Sequence, residues 1–136
     1  MNYKQMTAPC GLDCFNCIVY LANNNDEMRT MVSEKMGIPF EKAVCKGCRR
    51  EKGQCPVIPV HCHVYPCVEE KGVEFCCDCK DFPCDYLHPY ADQAANLPHN
   101  TKVFNLCLIK KMGLEAWADN KAKSVRETYF SGKWKL

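Results

Sequence analysis

Long hydrophobic runs are missing from this chain of 136 residues. None approaches the roughly 18 apolar residues needed to cross a membrane, so no membrane partner is expected. The opening MNYKQMTAPC lacks the apolar core of about 7–15 residues that marks a signal peptide, and a cytoplasmic chain is expected on that ground. No H-E-x-x-H word is present and no carboxylate pair stands out as acid and base, which leans the reading away from an enzyme. The C-x2-C-x2-C-x3-C-P order of bacterial ferredoxins is absent as well. No internal repeat or low-complexity tract is convincing. With 47% hydrophobic and 25% charged residues the chain is neither disordered nor fibrous, and its length fits one domain.

What the chain has in excess is cysteine: thirteen residues, an odd number. Disulfides are rare in the reducing cytosol, where clustered cysteines bind metal or do redox chemistry. A secreted disulfide scaffold would bring a signal peptide, a shorter chain and an even count. Metal binding therefore leads.

Within a single domain over 1–136 we expect three parts: N-terminal helices (1–43), metal-binding loops (44–87) and C-terminal helices (88–136). In the first, Asp13 can cap a helix with Cys14, Cys17, Ile18 and Leu21 on one stripe, and Asp26 can cap a second with Met28, Met31, Val32 and Met36 in register, closed by Gly37. The middle is rich in turn residues, among them Gly47, Gly53, Pro56, Pro59 and Pro66, and poor in apolar periodicity. Ordering it costs about 1–2 kcal/mol per residue, which metal coordination can offset. Short helices are expected over Pro66–Lys71 and just after Pro83. At the C-terminus one helix over Thr101–Met112, apolar around most of its circumference, should be buried and central. A second, over Leu114–Phe130, carries Ala118, Ala122, Val125 and Tyr129 inward and leaves Asp119, Lys123, Arg126 and Glu127 elsewhere. The fold class expected is mainly α: a small metal-stabilised cysteine-rich domain with irregular zinc-knuckle loops and a C-terminal helical pair.

The spacing of the cysteines points to ligands. Cys10, Cys14 and Cys17 form C-x3-C-x2-C, a loop and helical turn that can converge three thiolates. Radical-SAM enzymes use this spacing, but their partial barrel needs more strands than a helix-rich chain of this length supplies. Cys45-Lys-Gly-Cys48 is a zinc-knuckle element, Cys76 and Cys79 form a second C-x2-C, and Cys62, Cys67 and Cys84 lie around them. These ten cysteines are the candidate metal ligands. Closed tetrahedral zinc is the default, about two Zn2+ per chain, with a 4Fe-4S cluster as the alternative. The preferred grouping puts Cys45, Cys48, Cys62 and Cys67 on one ion, and Cys76, Cys79, Cys84 and an N-terminal thiolate on the other. A site of Cys10, Cys14, Cys17 and Cys84 is nearly as good, and a third ion stays open. His61 or His63 is a lesser candidate for replacing a cysteine. Cys55 and Cys77 read as partly exposed thiols and Cys107 as a core residue. His88 and His99 read as loop or capping residues, and Trp117 and Trp134 as core or terminal packing.

The words Cys10-Gly-Leu-Asp-Cys14-x-x-Cys17, Cys45-x-Gly-Cys48-Arg49, Cys62, Cys67, Glu70-Lys71-Gly72-Val73, Cys76-x-x-Cys79 and Phe82-Pro83-Cys84 resemble the domain-of-unknown-function 3795 family, small cysteine-rich proteins of bacteria and archaea. Pro98-His99-Asn100, Phe104-Asn105-Leu106 and Gly113 fit the same pattern. The resemblance implies a metal-binding protein, usually taken as zinc-binding, with no established reaction and no catalytic residues to carry over. Cys55, Cys77 and Cys107 look like additions to that pattern.

The formal charge of +2 becomes about −2 once two zinc ions replace the protons of eight thiols. Lys102, Lys110, Lys111, Lys121, Lys123, Arg126, Lys133 and Lys135 could make a basic face, but a solvated helix surface is the plainer reading and nucleic acid is disfavoured as a partner. The function expected is a zinc-binding protein with mainly structural zinc, acting as a binding or interaction module toward an unknown protein or small molecule. An iron–sulfur or thiol redox protein is the alternative, ahead of a zinc-thiolate enzyme.

Overall fold

A computed structural model describes residues 1–57, 61–89 and 98–134. Pro59, expected in a turn, and Lys135, expected on the basic face, lie outside the described residues. In chain order the helices are α1 (Tyr3–Met6), α2 (Ile18–Leu21), α3 (Asp26–Met36), α4 (Val64–Lys71), α5 (Lys102–Met112), α6 (Leu114–Trp117) and α7 (Lys123–Ser131), with short 3-10 turns between them. Among the described residues the chain is mainly helical and has no strand, only one isolated bridge between Thr7 and Asp13. The expected helical class is therefore seen.

Stop signals in the sequence act where they are expected. Gly37 and Gly72 adopt the left-handed conformation that ends α3 and α4. Start signals are less faithful. Asn25, not Asp26, caps α3, its side-chain oxygen accepting from Met28 N–H at 2.9 Å. Helix α4 begins two residues before Pro66, and after Pro83 only a 3-10 turn over Asp85–Leu87 forms. The helix expected from Cys14 onward is broken into a 3-10 turn over Cys14–Asn16 and the short α2. Its stripe is broken too, since Ile18 and Leu21 are exposed.

Helix α5 is one-sided, not buried all round. Lys102, Asn105, Leu106 and Ile109 face inward, while Phe104, Cys107 and Met112 are exposed. Those four inward positions follow the i, i+3, i+4, i+7 rule, so the helical period chose the stripe although two of its members are polar. Cys107 is accordingly a surface thiol, contrary to expectation. Helices α6 and α7 continue one another through a π turn over Ala118–Ala122. Ala118, Ala122 and Val125 are buried as expected, Trp117 is fully so, and Trp134 packs against nothing that would cover it, at 82% exposed.

The larger core cluster joins all three parts of the chain: Met6, Cys10, Phe15, Val64, Val68, Phe75, Leu106, Ile109 and Trp117. A smaller one gathers Val19, Ala22, Val32, Ala43, Cys45 and Val57. The core of the C-terminal helices thus extends under the N-terminal cysteine loop. Gly11 makes this possible. Its φ is +88°, and a Cβ there would stand 2.8 Å from the carbonyl of Lys102 and 2.9 Å from Leu106 Cγ, so only glycine lets the loop lie on α5.

A buried polar chain fixes the same contact. Asn105 donates to the Gly11 carbonyl at 2.9 Å and accepts from Trp117 Nε1–H at 3.3 Å. Replacing Asn105 by alanine leaves both partners buried and unpaired. Urea denaturation should show a loss of about 2–4 kcal/mol, one to two unmet hydrogen bonds.

Candidate functional site

The ten spaced cysteines are all among the described residues, and they gather around two pockets. Cys67, Cys76, Cys79 and Cys84 line the smaller, of about 20 Å³, together with apolar side chains such as Val68, Phe82 and Leu87. Cys10, Cys14, Cys17, Cys45, Cys48 and Cys62 line the larger, of about 300 Å³. This division differs from the preferred grouping. Cys67, on α4, stands with Cys76, Cys79 and Cys84, and the N-terminal trio stands with Cys45, Cys48 and Cys62. The reason is tertiary: Cys67 on α4 lines the same pocket as Cys76 of the 3-10 turn over Cys76–Asp78, while Gly11 seats the N-terminal loop on α5.

At the small pocket the sulfur of Cys79 is already solvated by the chain. The Asp81 N–H donates to its Sγ at 3.4 Å and Lys71 Nζ approaches at 3.5 Å, itself paired with Asp81 at 2.6 Å. Cys76 lies deeper. Burial first, then the charges of Cys10, Cys84 and Cys67, push its thiol up to about 12.

At the large cavity the two knuckles meet. The interaction of Cys14 with Cys48 lowers the Cys14 thiol to about 7 against the opposing effect of burial, and raises Cys48. The Gly47 N–H donates to Cys45 Sγ at 3.3 Å, which needs the glycine's φ of +91°. Burial nevertheless holds Cys45 up to about 12 and Cys10 up to about 11, the latter in spite of Lys102. Burial also raises Cys17. Neutral thiols packed this way become ligands when a cation displaces their protons.

Among the described residues no three His, Cys, Asp or Glu side chains stand in ligating geometry about one point. The chemistry of the donors still fits a soft ion. Four thiols around a pocket the size of one ion match zinc, copper(I) or iron–sulfur preferences and not those of calcium or magnesium.

Neither His61 nor His63 lines either pocket. Their rings meet edge to face at 5.2 Å, and His63 stacks on Tyr86 at 5.5 Å. Cys77, expected to be partly exposed, is buried and lines neither pocket. Cys55 is partly exposed, as expected, and also lines the large cavity. Sequence reasoning also missed two cations there. Lys102 is 3% exposed and lines the cavity with Arg126. The position of Lys102 on the buried stripe of α5 was a signal available in the sequence, whereas nothing in its spacing marked Cys55.

Arg126 Nε donates to both carboxylate oxygens of Asp13 at 3.0 Å, and its Nη2 donates to the Asp13 carbonyl at 3.2 Å and to Asp13 Oδ1. Asp13 is thus a clamp between the first cysteine loop and α7, not a helix cap. Arg49 does similar work. It donates to the carbonyls of Thr7 and Glu74, pairs with the Glu74 carboxylate at 3.2 Å, and lies over the Phe75 ring. With Lys102 buried and Arg126 turned inward, two members of the expected basic face are committed to the protein interior, and a third, the exposed Lys110, donates to the Cys77 carbonyl at 3.2 Å.

The motif words carry over to a family. The one described as "Protein of unknown function (DUF3795)" matches residues 6–89, which hold every cysteine of both pockets, and the chain belongs to it. No curated protein and no solved structure matches the chain. No helix among the described residues is long and apolar enough to cross a membrane.

Proposed function

We propose that the chain is a zinc-thiolate protein whose metal is structural, a scaffold for binding rather than a catalyst. The observation that carries this is the small pocket. Cys67, Cys76, Cys79 and Cys84 come from α4, the following knuckle and the loop beyond it, yet they surround a space of about 20 Å³. Four sulfurs at about 2.3 Å from one zinc make a closed tetrahedral site with no position left for substrate. The residues of the large cavity, Cys10, Cys14, Cys17, Cys45, Cys48 and Cys62, hold further zinc in the same reading. Lys71 and the Asp81 amide steady the sulfur of Cys79 from outside the ligand set.

Metal analysis and an absorption spectrum on anaerobically purified protein test this. At least two zinc per chain and no absorption near 400 nm are expected, because zinc is d¹⁰ and colourless. A chelator strong enough to strip the ions should abolish the helical circular dichroism. Iron with sulfide, or a chain that stays folded without metal, overturns the reading.

A further inference from the structure

The larger cavity has an aliphatic lining as well as thiols. Val19, Val32 and Val57 are buried and line it together with Ile18, Met36 and Phe130, which are exposed. A cavity walled by both kinds of residue runs from the surface into the smaller core cluster. Packed interiors leave few spaces larger than a water molecule, and a volume of about 300 Å³ falls within the range of small-molecule sites. We propose that this cavity binds an unbranched aliphatic carboxylate, its chain against the valines and its headgroup at Lys35 on the rim. The inference goes beyond the zinc reading, since it uses the aliphatic lining and leaves the thiols to metal.

The chemistry of the wall selects this ligand. No hydroxyl or amide side chain lines the cavity, so the part of a ligand that enters it must be apolar. All the apolar lining residues but Phe130, at the mouth, are aliphatic or methionine, which suits a flexible chain better than a stacked ring. Four charged side chains fix the other end. Arg126 is paired with Asp13, and Glu51 accepts from the Lys46 N–H at 3.0 Å. Lys102 is 3% exposed and its charge acts on Cys10. Lys35 stands in the last turn of α3, exposed beside Met36, and its side chain makes no hydrogen bond or ion pair with another described residue. An anion whose tail enters the cavity therefore meets its cation at the rim, where the carboxylate stays in water.

Isothermal titration calorimetry of the full, zinc-loaded chain with decanoate below its micelle concentration tests this. One decanoate per chain is expected, and each CH₂ added between hexanoate and decanoate should tighten binding about fourfold. Lys35→Glu, a surface change, should weaken decanoate about fivefold or more. Met31→Trp should weaken it by narrowing the cavity. Neither residue is a proposed ligand, so both variants should keep their zinc. Absence of saturable binding, equal affinity for decyltrimethylammonium, or unchanged affinity in Lys35→Glu overturns the carboxylate site and leaves the zinc reading intact. Loss of zinc from the chain as purified overturns that reading alone.

Discussion

Replacing Cys76 by serine is expected to cost the protein one zinc ion and most of the order in residues 64–87. Serine is nearly the same size, so the change leaves little cavity. What it removes is a thiolate, the ligand that zinc prefers over a hydroxyl. Structural zinc binds with an apparent ~10–16 kcal/mol in small metal-dependent folds, while whole domains are stable by only ~5–15 kcal/mol. Losing one ligand in four therefore reaches the order of 3–5 kcal/mol, enough to unfold the segment. Cys77→Ser provides the contrast. Cys77 is the next residue and is equally buried, but it lines neither pocket. Its hydroxyl should cost about 1–3 kcal/mol of ordinary polar burial and no metal. Zinc content by mass spectrometry and thermal melts by circular dichroism separate the two. Equal zinc loss in both variants, or none in Cys76→Ser, would remove the small pocket as a metal site.

Asp13→Ala should be nearly as damaging by a different route. The carboxylate is almost fully buried and faces an arginine that is itself mostly covered. Removing it strands the Arg126 guanidinium, and breaking one side of a buried pair costs about 3–5 kcal/mol. Because Asp13 lies between Cys10 and Cys14, the first cysteine loop should also loosen from α7, and zinc in the large cavity should become easier to chelate. The double replacement Asp13→Leu with Arg126→Met is expected to recover most of the stability, since an apolar pair of similar volume carries no desolvation penalty. Urea denaturation of the two single variants and the double gives the coupling energy. Simple additivity of the single losses would show that the pair does not act as a unit.

The cysteine framework was legible because ligand spacing is a local property. Two thiols at C-x2-C can reach one ion within a single turn, so Cys45 with Cys48 and Cys76 with Cys79 stand out in any reading of the chain. Helix ends were legible for the same reason: Gly37 and Gly72 stop α3 and α4 through their own backbone freedom. Grouping the pairs was not legible. Which pair meets which depends on how Gly11 seats the first loop on α5 and how α4 turns Cys67, and both are contacts between residues far apart in sequence. The exposure of Cys107 is not legible, because α5 is apolar around most of its circumference yet buries only the face of Lys102, Asn105, Leu106 and Ile109. Arg126 was placed on the solvated face because its partner, Asp13, is 113 positions away.

By itself, then, the sequence determined the helical class, the family and the ten sulfur-bearing positions, since all of these follow from composition and short-range spacing. Tertiary structure alone decided the division of those sulfurs into four and six, the burial of Lys102 and Arg126 against the larger group, and the exposure of Cys107. Charge and volume around a thiol are set by whatever chain folds against it, and no local pattern encodes that.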